Sequence, residues 1–164
     1  MTSSHDDLNA ELAELRETES TLVLSRFTHD DAWALGSWLV ECGRRDGLGI
    51  TVDIRKGDQQ VFHAALAGTT PDNDDWIERK IRTVRRFGTA SLIVGRSHAA
   101  KGSDFNEATQ LPFTEYVAHG GCVPILVDGV GMIGTLTVSG LKQQDDHALA
   151  VEALQWLQGV SAGS

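Results

Sequence analysis

Histidine followed by two glycines, His119-Gly120-Gly121, is the sharpest chemical signal in this chain of 164 residues. An imidazole titrates near neutrality, so it can move a proton or act as a neutral ligand. Glycines let other groups approach the backbone closely and leave N–H donors for an anion or a carbonyl oxygen. Ser139-Gly140 forms a second small-residue corner. A basic stretch, Arg79, Lys80, Arg82, Arg85 and Arg86, could hold a ligand carboxylate through charge-assisted bonds. Its plainer reading is a solvated helix face, because Asp72, Asp74, Asp75 and Glu78 precede it and that order suits the helix dipole. Contact with a neighbouring subunit is a third reading.

The remaining histidines say less. His147 follows Asp145 and Asp146 and reads as a helix-start residue occupied by a local hydrogen bond, with ligand contact as the alternative. No pair among His5, His29, His63, His98, His119 and His147 has zinc-ligand spacing, so no metal is expected. Gly95-Arg96-Ser97-His98-Ala99 imitates a nucleophile elbow, with Asp128 and His147 as conceivable partners. A short chain with a hairpin-dominated sheet is the wrong frame for it. Gly129-Val130-Gly131 sits in a hairpin turn, not between strand and helix, so it is no dinucleotide fingerprint.

The elements that must position these residues are legible. Strand-like residues fill 122–127 and 130–138 around Asp128-Gly129, a strong hairpin signal. Residues before and after such a hairpin lie side by side, so His119-Gly120-Gly121 and Ser139-Gly140 are expected to line one cleft. Asp145 or Asp146 can cap a last helix over 144–158. Thr28, Asp30 and Asp31 open a helix that Arg44, Arg45 and Gly47 close. Ile50, Val52 and Ile54 alternate with polar residues, predicting a strand with one buried face. Lys56-Gly57-Asp58 turns it into a return over 60–66, and a second helix spans 71–87. A helix over 7–18 and a short strand over 21–25 precede all of this. Residues 91–94 read as strand or helix, and 100–118 as an irregular connection. Together these predict an α+β domain with an antiparallel sheet of about five strands flanked by helices. One domain over 1–164 is expected, with a helical extension over 1–20 and a flexible tail over 159–164.

An ordered set of short words resembles the GlcG/HbpS-like family, whose members carry the label "heme-degrading domain". The words are Arg79-Lys80, Thr83-Val84, Arg86-Phe87, Lys101-Gly102, His119-Gly120-Gly121, Pro124-Ile125, Gly134, Val138-Ser139-Gly140-Leu141, Asp146-His147 and Val151-Glu152-Ala153-Leu154. The resemblance spans roughly residues 25–158 and is strongest to the family's cytoplasmic branch. The resemblance implies a profilin-like or PAS-like fold, a helix at 91–94 and a pocket between sheet and helices. It also implies homo-oligomers and heme or a related tetrapyrrole as a ligand.

Composition narrows the function classes. A formal charge of −9 disfavours nucleic acid and anionic membranes as partners. No apolar run reaches a membrane span, and the N-terminal residues lack the basic and apolar regions of a signal peptide. Cys42 and Cys122 form no C-x-x-C pair and read as small buried apolar residues of a cytoplasmic protein. Trp33, Trp38, Trp76 and Trp156 all fall on predicted helices, more aromatic surface than one sheet can hide, which predicts a homo-oligomer. The leading reading is an oligomeric protein binding a small anionic ligand or heme through His119, Gly120, Gly121, Ser139, Gly140, Arg79, Lys80 and His147, without established catalysis. Two rivals are an enzyme on a small organic acid with His119 as acid or base, and a protein-interaction module.

Overall fold

The computed structural model describes residues 2–162. In chain order the elements are α1 (Thr2–Thr21), β1 (Val23–Leu24), α2 (His29–Asp46), β2 (Thr51–Lys56), β3 (Gln59–Ala65), α3 (Pro71–Phe87), α4 (Ser91–Ala100), α5 (Phe105–Thr109), β4 (Cys122–Val127), β5 (Gly131–Ser139) and α6 (Gln143–Ala162). The strands form one five-stranded sheet in the order β1-β4-β5-β2-β3. Three pairings are antiparallel, as expected, while the two-residue β1 runs parallel to β4 at the edge.

Local chemistry explains the boundaries. Thr28 and Asp31 exchange side-chain bonds with each other's backbone N–H, at 3.1 and 2.8 Å, and start α2. Gly47 ends α2 in the left-handed region at φ 66°. Asn73 accepts from the Thr70 N–H at 3.0 Å ahead of α3, whose first residue is Pro71. Residues 91–94 are helical, as the resemblance implied, and the connection over 100–118 contains the short α5. The tail expected over 159–164 is helical to Ala162, and positions 163–164 lie outside the described residues.

The sheet is covered on both faces. Val52, Ile54, Val123, Ile125, Leu136 and Val138 point into the main core, with Leu35 and Leu39 of α2 and Leu154 and Leu157 of α6. The opposite face lies beneath α3. There Ile77, Ile81 and Val84 pack on Cys122, while Thr51, Asp53, Thr135 and Thr137 are also buried. This corrects the expectation of one buried face for β2: alternation does direct its apolar residues to one side, but α3 dries the polar side too. It also corrects the solvated-face reading of α3 at two positions, since Arg79 and Lys80 are buried. Among the described residues, no helix is long and apolar enough to cross a membrane.

Candidate functional site

His119 sits in the loop entering β4, and α3 holds that loop. Arg79 Nη1 donates to the Phe113 carbonyl at 3.4 Å, Arg82 Nη1 to that of Glu115 at 3.2 Å, and Thr83 Oγ1 to that of Val117 at 2.8 Å. The His119 ring stacks on Trp76, with centroids 5.2 Å apart and planes at 25°. Trp76 in turn meets the Phe113 ring edge-on at 6.2 Å and carries the Arg79 guanidinium 4.1 Å from its centroid. Asp75 lies 3.1 Å from Arg79 Nε. Arg79 therefore packs among aromatic rings and one loop carbonyl, and ties α3 to the loop that carries His119.

Lys80, on the next helical position, reaches the other way. It is only 3% exposed. Its Nζ lies 3.4 Å from both Asp146 Oδ2 and the Val138 carbonyl. Asp146 is not the helix cap the sequence suggested. From inside α6 its carboxylate folds back and accepts from the Leu141 N–H at 2.9 Å and the Gly140 N–H at 3.4 Å. Burial acts on both partners against charge: it pushes the Lys80 ammonium down and the Asp146 carboxyl up.

The two small-residue corners do meet. The Val138 N–H donates to the Gly121 carbonyl at 2.9 Å. Gly121 has φ 134°, and a Cβ there would collide with the Val138 carbonyl oxygen and stand 2.8 Å from Lys80 Nζ. Gly140, at φ 146°, faces the Gly49 carbonyl just as closely. The glycines thus serve backbone packing. Of the two N–H groups expected as anion donors, that of Gly120 is already engaged, donating to Gln143 Oε1 at 3.0 Å; the Gly140 N–H donates to Asp146.

Between these corners and the first turns of α3 opens a cleft of about 240 Å³, lined by Asp72, Asn73, Trp76, Lys80, His119, Ser139, Gly140, Leu141, Gln143 and Asp146. Partial desolvation of the ring against Trp76, then the nearby Lys80 and Arg79 charges, hold the His119 pKa below its usual value, although the side chain still reaches solvent. The imidazole is therefore neutral near pH 7 and able to accept a proton or a hydrogen bond. A second depression of about 410 Å³ adjoins across His119 and Gln143 and reaches Arg96 and Asn106.

Of the residues singled out in the sequence, His119, Lys80, Ser139 and Gly140 line the cleft, with Gly120 and Gly121 directly behind them. His147 does not join them. It faces α1, among Leu15, Glu19, Leu22, Ala90, Val123 and Val151, and burial pushes its pKa down to about 4. Its Nδ1 has no hydrogen-bond partner, in place of the local bond expected. The elbow reading of Ser97 fails as well, because that hydroxyl lies within α4 and donates to the Val94 carbonyl at 3.0 Å. Sequence reasoning missed Trp76, Asp146 and Gln143 as site residues. Trp76 is one helical turn before Lys80, so the i, i+4 spacing carried that signal.

Comparison with known proteins places the chain. The family model described as "Haem degrading protein HbpS-like" matches residues 27–155. A UPF0303 protein of Streptomyces avermitilis is 54% identical over 144 residues, which cover 88% of this chain and 88% of that one. The crystal structure of Ybr137w protein matches with a TM-score of 0.82 at 33% identity, covering 92% of this chain and 89% of that chain. The crystal structure of a PduOC:heme complex matches with a TM-score of 0.66 at 18% identity, over 79% and 93% of the two chains, a likeness of fold alone.

Proposed function

Because the chain belongs to the HbpS-like family, we propose that it is a small-ligand-binding protein whose ligand occupies the cleft between α3 and the β5–α6 corner. One observation carries this reading. A neutral-held imidazole, a buried ammonium and a carboxylate converge on one opening, over an aromatic floor. The Lys80 hydrogen bonds, at 3.4 Å, are longer than the usual 2.7–3.2 Å range and leave it room to take an oxygen acceptor from a ligand. The cleft suits a small organic molecule with a carboxylate or carbonyl oxygen toward Lys80 and a hydrogen-bonding group toward His119.

Heme is the second reading, supported by the PduOC:heme complex of the same fold. The residues present do not fit an enclosed heme. The wall of the cleft carries Asp72, Lys80 and Asp146, charged groups that an apolar porphyrin ring would have to desolvate. A neutral His119 alone favours neither ligand. Both are tested together, by a thermal-shift screen of small carboxylates and carbonyl compounds and an absorbance titration with hemin. A bound ligand at a hundred times its Kd stabilises by about 2.7 kcal/mol. Stabilisation by small acids that is lost in His119→Ala supports the first reading. Saturable hemin binding with no response to any small acid replaces it with the second.

Self-association forms part of the proposal. Trp33 is 67% exposed, meets Phe62 edge-on at 5.7 Å and flanks an apolar groove of about 600 Å³ between α2 and β3. Both cysteines are buried and free, which supports a cytoplasmic setting.

A further inference from the structure

We infer that Lys80 is an amine nucleophile that forms a covalent imine with a small polar aldehyde or ketone entering the cleft. The inference rests on the ligand-binding reading of the same cleft and names the chemistry of the ligand. A Lys whose task is structural has its ammonium saturated or spread into solvent. Lys80 has neither: it is 3% exposed, and its Nζ meets Asp146 Oδ2 and the Val138 carbonyl only at 3.4 Å. It nevertheless lines an opening that also exposes His119, Ser139 and Gln143. Gly121 keeps the space beside Nζ clear, since any larger residue would place Cβ 2.8 Å from it. Desolvation raises the share of free amine near neutral pH, the condition for attack on a carbonyl. The neighbouring thiol offers no competition: Cys122 is fully buried and its pKa is pushed up to about 12.

The step balances with the groups present. The Lys80 ammonium passes a proton to Asp146, the free amine adds to the carbonyl carbon as the C=O π pair moves to oxygen, and a proton shifts from nitrogen to that oxygen, giving a neutral carbinolamine. Asp146 returns the proton to the carbinolamine hydroxyl, the C–O bond breaks, and water leaves. The product is a protonated imine beside the restored Asp146 carboxylate. The pair is doubly charged at the start and the end and doubly neutral in between, so neither partner is left as an unpaired buried charge, the costly situation in an interior. The cleft volume of about 240 Å³ limits the substrate to a small molecule. Its polar wall selects carbonyl compounds that also carry hydroxyl or carboxylate groups.

The test uses the intact chain with pyruvate and with glycolaldehyde, each reduced with cyanoborohydride and read by intact mass and peptide mapping. The chain has four lysines, Lys56, Lys80, Lys101 and Lys142, so the other three serve as internal controls. The expected result is one predominant adduct on the Lys80 peptide, lost in Lys80→Arg once that variant is shown to fold by circular dichroism. The wild-type map stands by itself if the variant does not fold. Adducts spread over Lys101 and Lys142, or no adduct while unreduced pyruvate still raises the melting temperature, overturn the imine and leave the binding reading intact. No adduct together with no stabilisation by any carbonyl compound or acid overturns both.

Discussion

Replacing His147 by Leu should remove most of one component of acid sensitivity while leaving the cleft untouched. The native imidazole is 7% exposed, lies mostly among apolar side chains with Glu19 in the same lining, and is pushed from 6.5 down to about 4 by burial, which outweighs the opposing pull of the Glu11 charge. The folded pKa lies below the unfolded one, so the unfolded chain binds a proton that the native state refuses. Its contribution is therefore harmless above about 6.5 and erodes stability as pH falls toward about 4, below which it stays constant. A shift of that size corresponds to about 3 kcal/mol in full, of which about 2 kcal/mol is lost between about pH 7 and pH 5. The assay is urea unfolding of wild type and His147→Leu at both values. Wild type should lose about 2 kcal/mol more than the variant over that interval. Equal losses would refute the reasoning, and would mean that the imidazole finds water or rotates out when it charges.

Other expectations concern the cleft and the surface. His119→Ala should weaken the bound ligand by about 1–3 kcal/mol, about fivefold to 150-fold in Kd, while His98→Ala and His147→Leu leave titration curves unchanged. Gly121→Ala forces a side chain to φ 134° and into the Val138 carbonyl. Denaturant unfolding should show a loss of about 2–4 kcal/mol, and a loss below about 1 kcal/mol would show that the β4 entry yields easily. Trp33→Glu should shift sedimentation toward the monomer if the α2–β3 groove is the self-association face, and wild type running as a monomer at every concentration would end the oligomer proposal.

The hairpin and α3 were legible because their signals are local. Asp128-Gly129 and the alternation around it pin β4 to β5, and Thr70, Pro71 and Gly88 bracket α3. The meeting of the two glycine corners followed from hairpin geometry alone. What sequence could not show was the direction each α3 side chain takes. Acid-first, base-last order is the pattern of a solvated helix, and Arg82 and Arg85 are indeed exposed. Arg79 and Lys80 depart from it because the Phe113 loop and Trp76 cover the first, while the second turns inward to Asp146 and the Val138 carbonyl, contacts between segments distant in sequence. The same blindness put His147 among the ligand residues. Adjacent to Asp146 in sequence, it is turned by the helical step of α6 onto α1, away from the cleft.

The polar layer of Thr51, Asp53, Thr135 and Thr137 beneath α3 bears on why the cleft exists. An apolar interface under α3 would be the simpler means of stability, and its end at Ile77, Ile81 and Val84 is built that way. Toward the cleft the helix instead rests on directional contacts. Asp53, 1% exposed, accepts from Arg55 at 3.0 Å, Gln60 at 2.6 Å and His63 at 3.2 Å, and His63 reaches on to Asp74 of α3 at 3.1 Å. A buried ion pair contributes little net stability against well-packed apolar residues of the same size, and the Lys80–Asp146 pair at 3.4 Å has less than ideal geometry to offset its desolvation. Folding alone therefore gives no reason to keep an ammonium and a carboxylate here. Their placement makes sense if the pair is aimed at something that enters the cleft, with the Asp53 cluster and the Arg79–Trp76–Phe113 stack fixing the two sides of α3 so that Lys80 and His119 face the same opening.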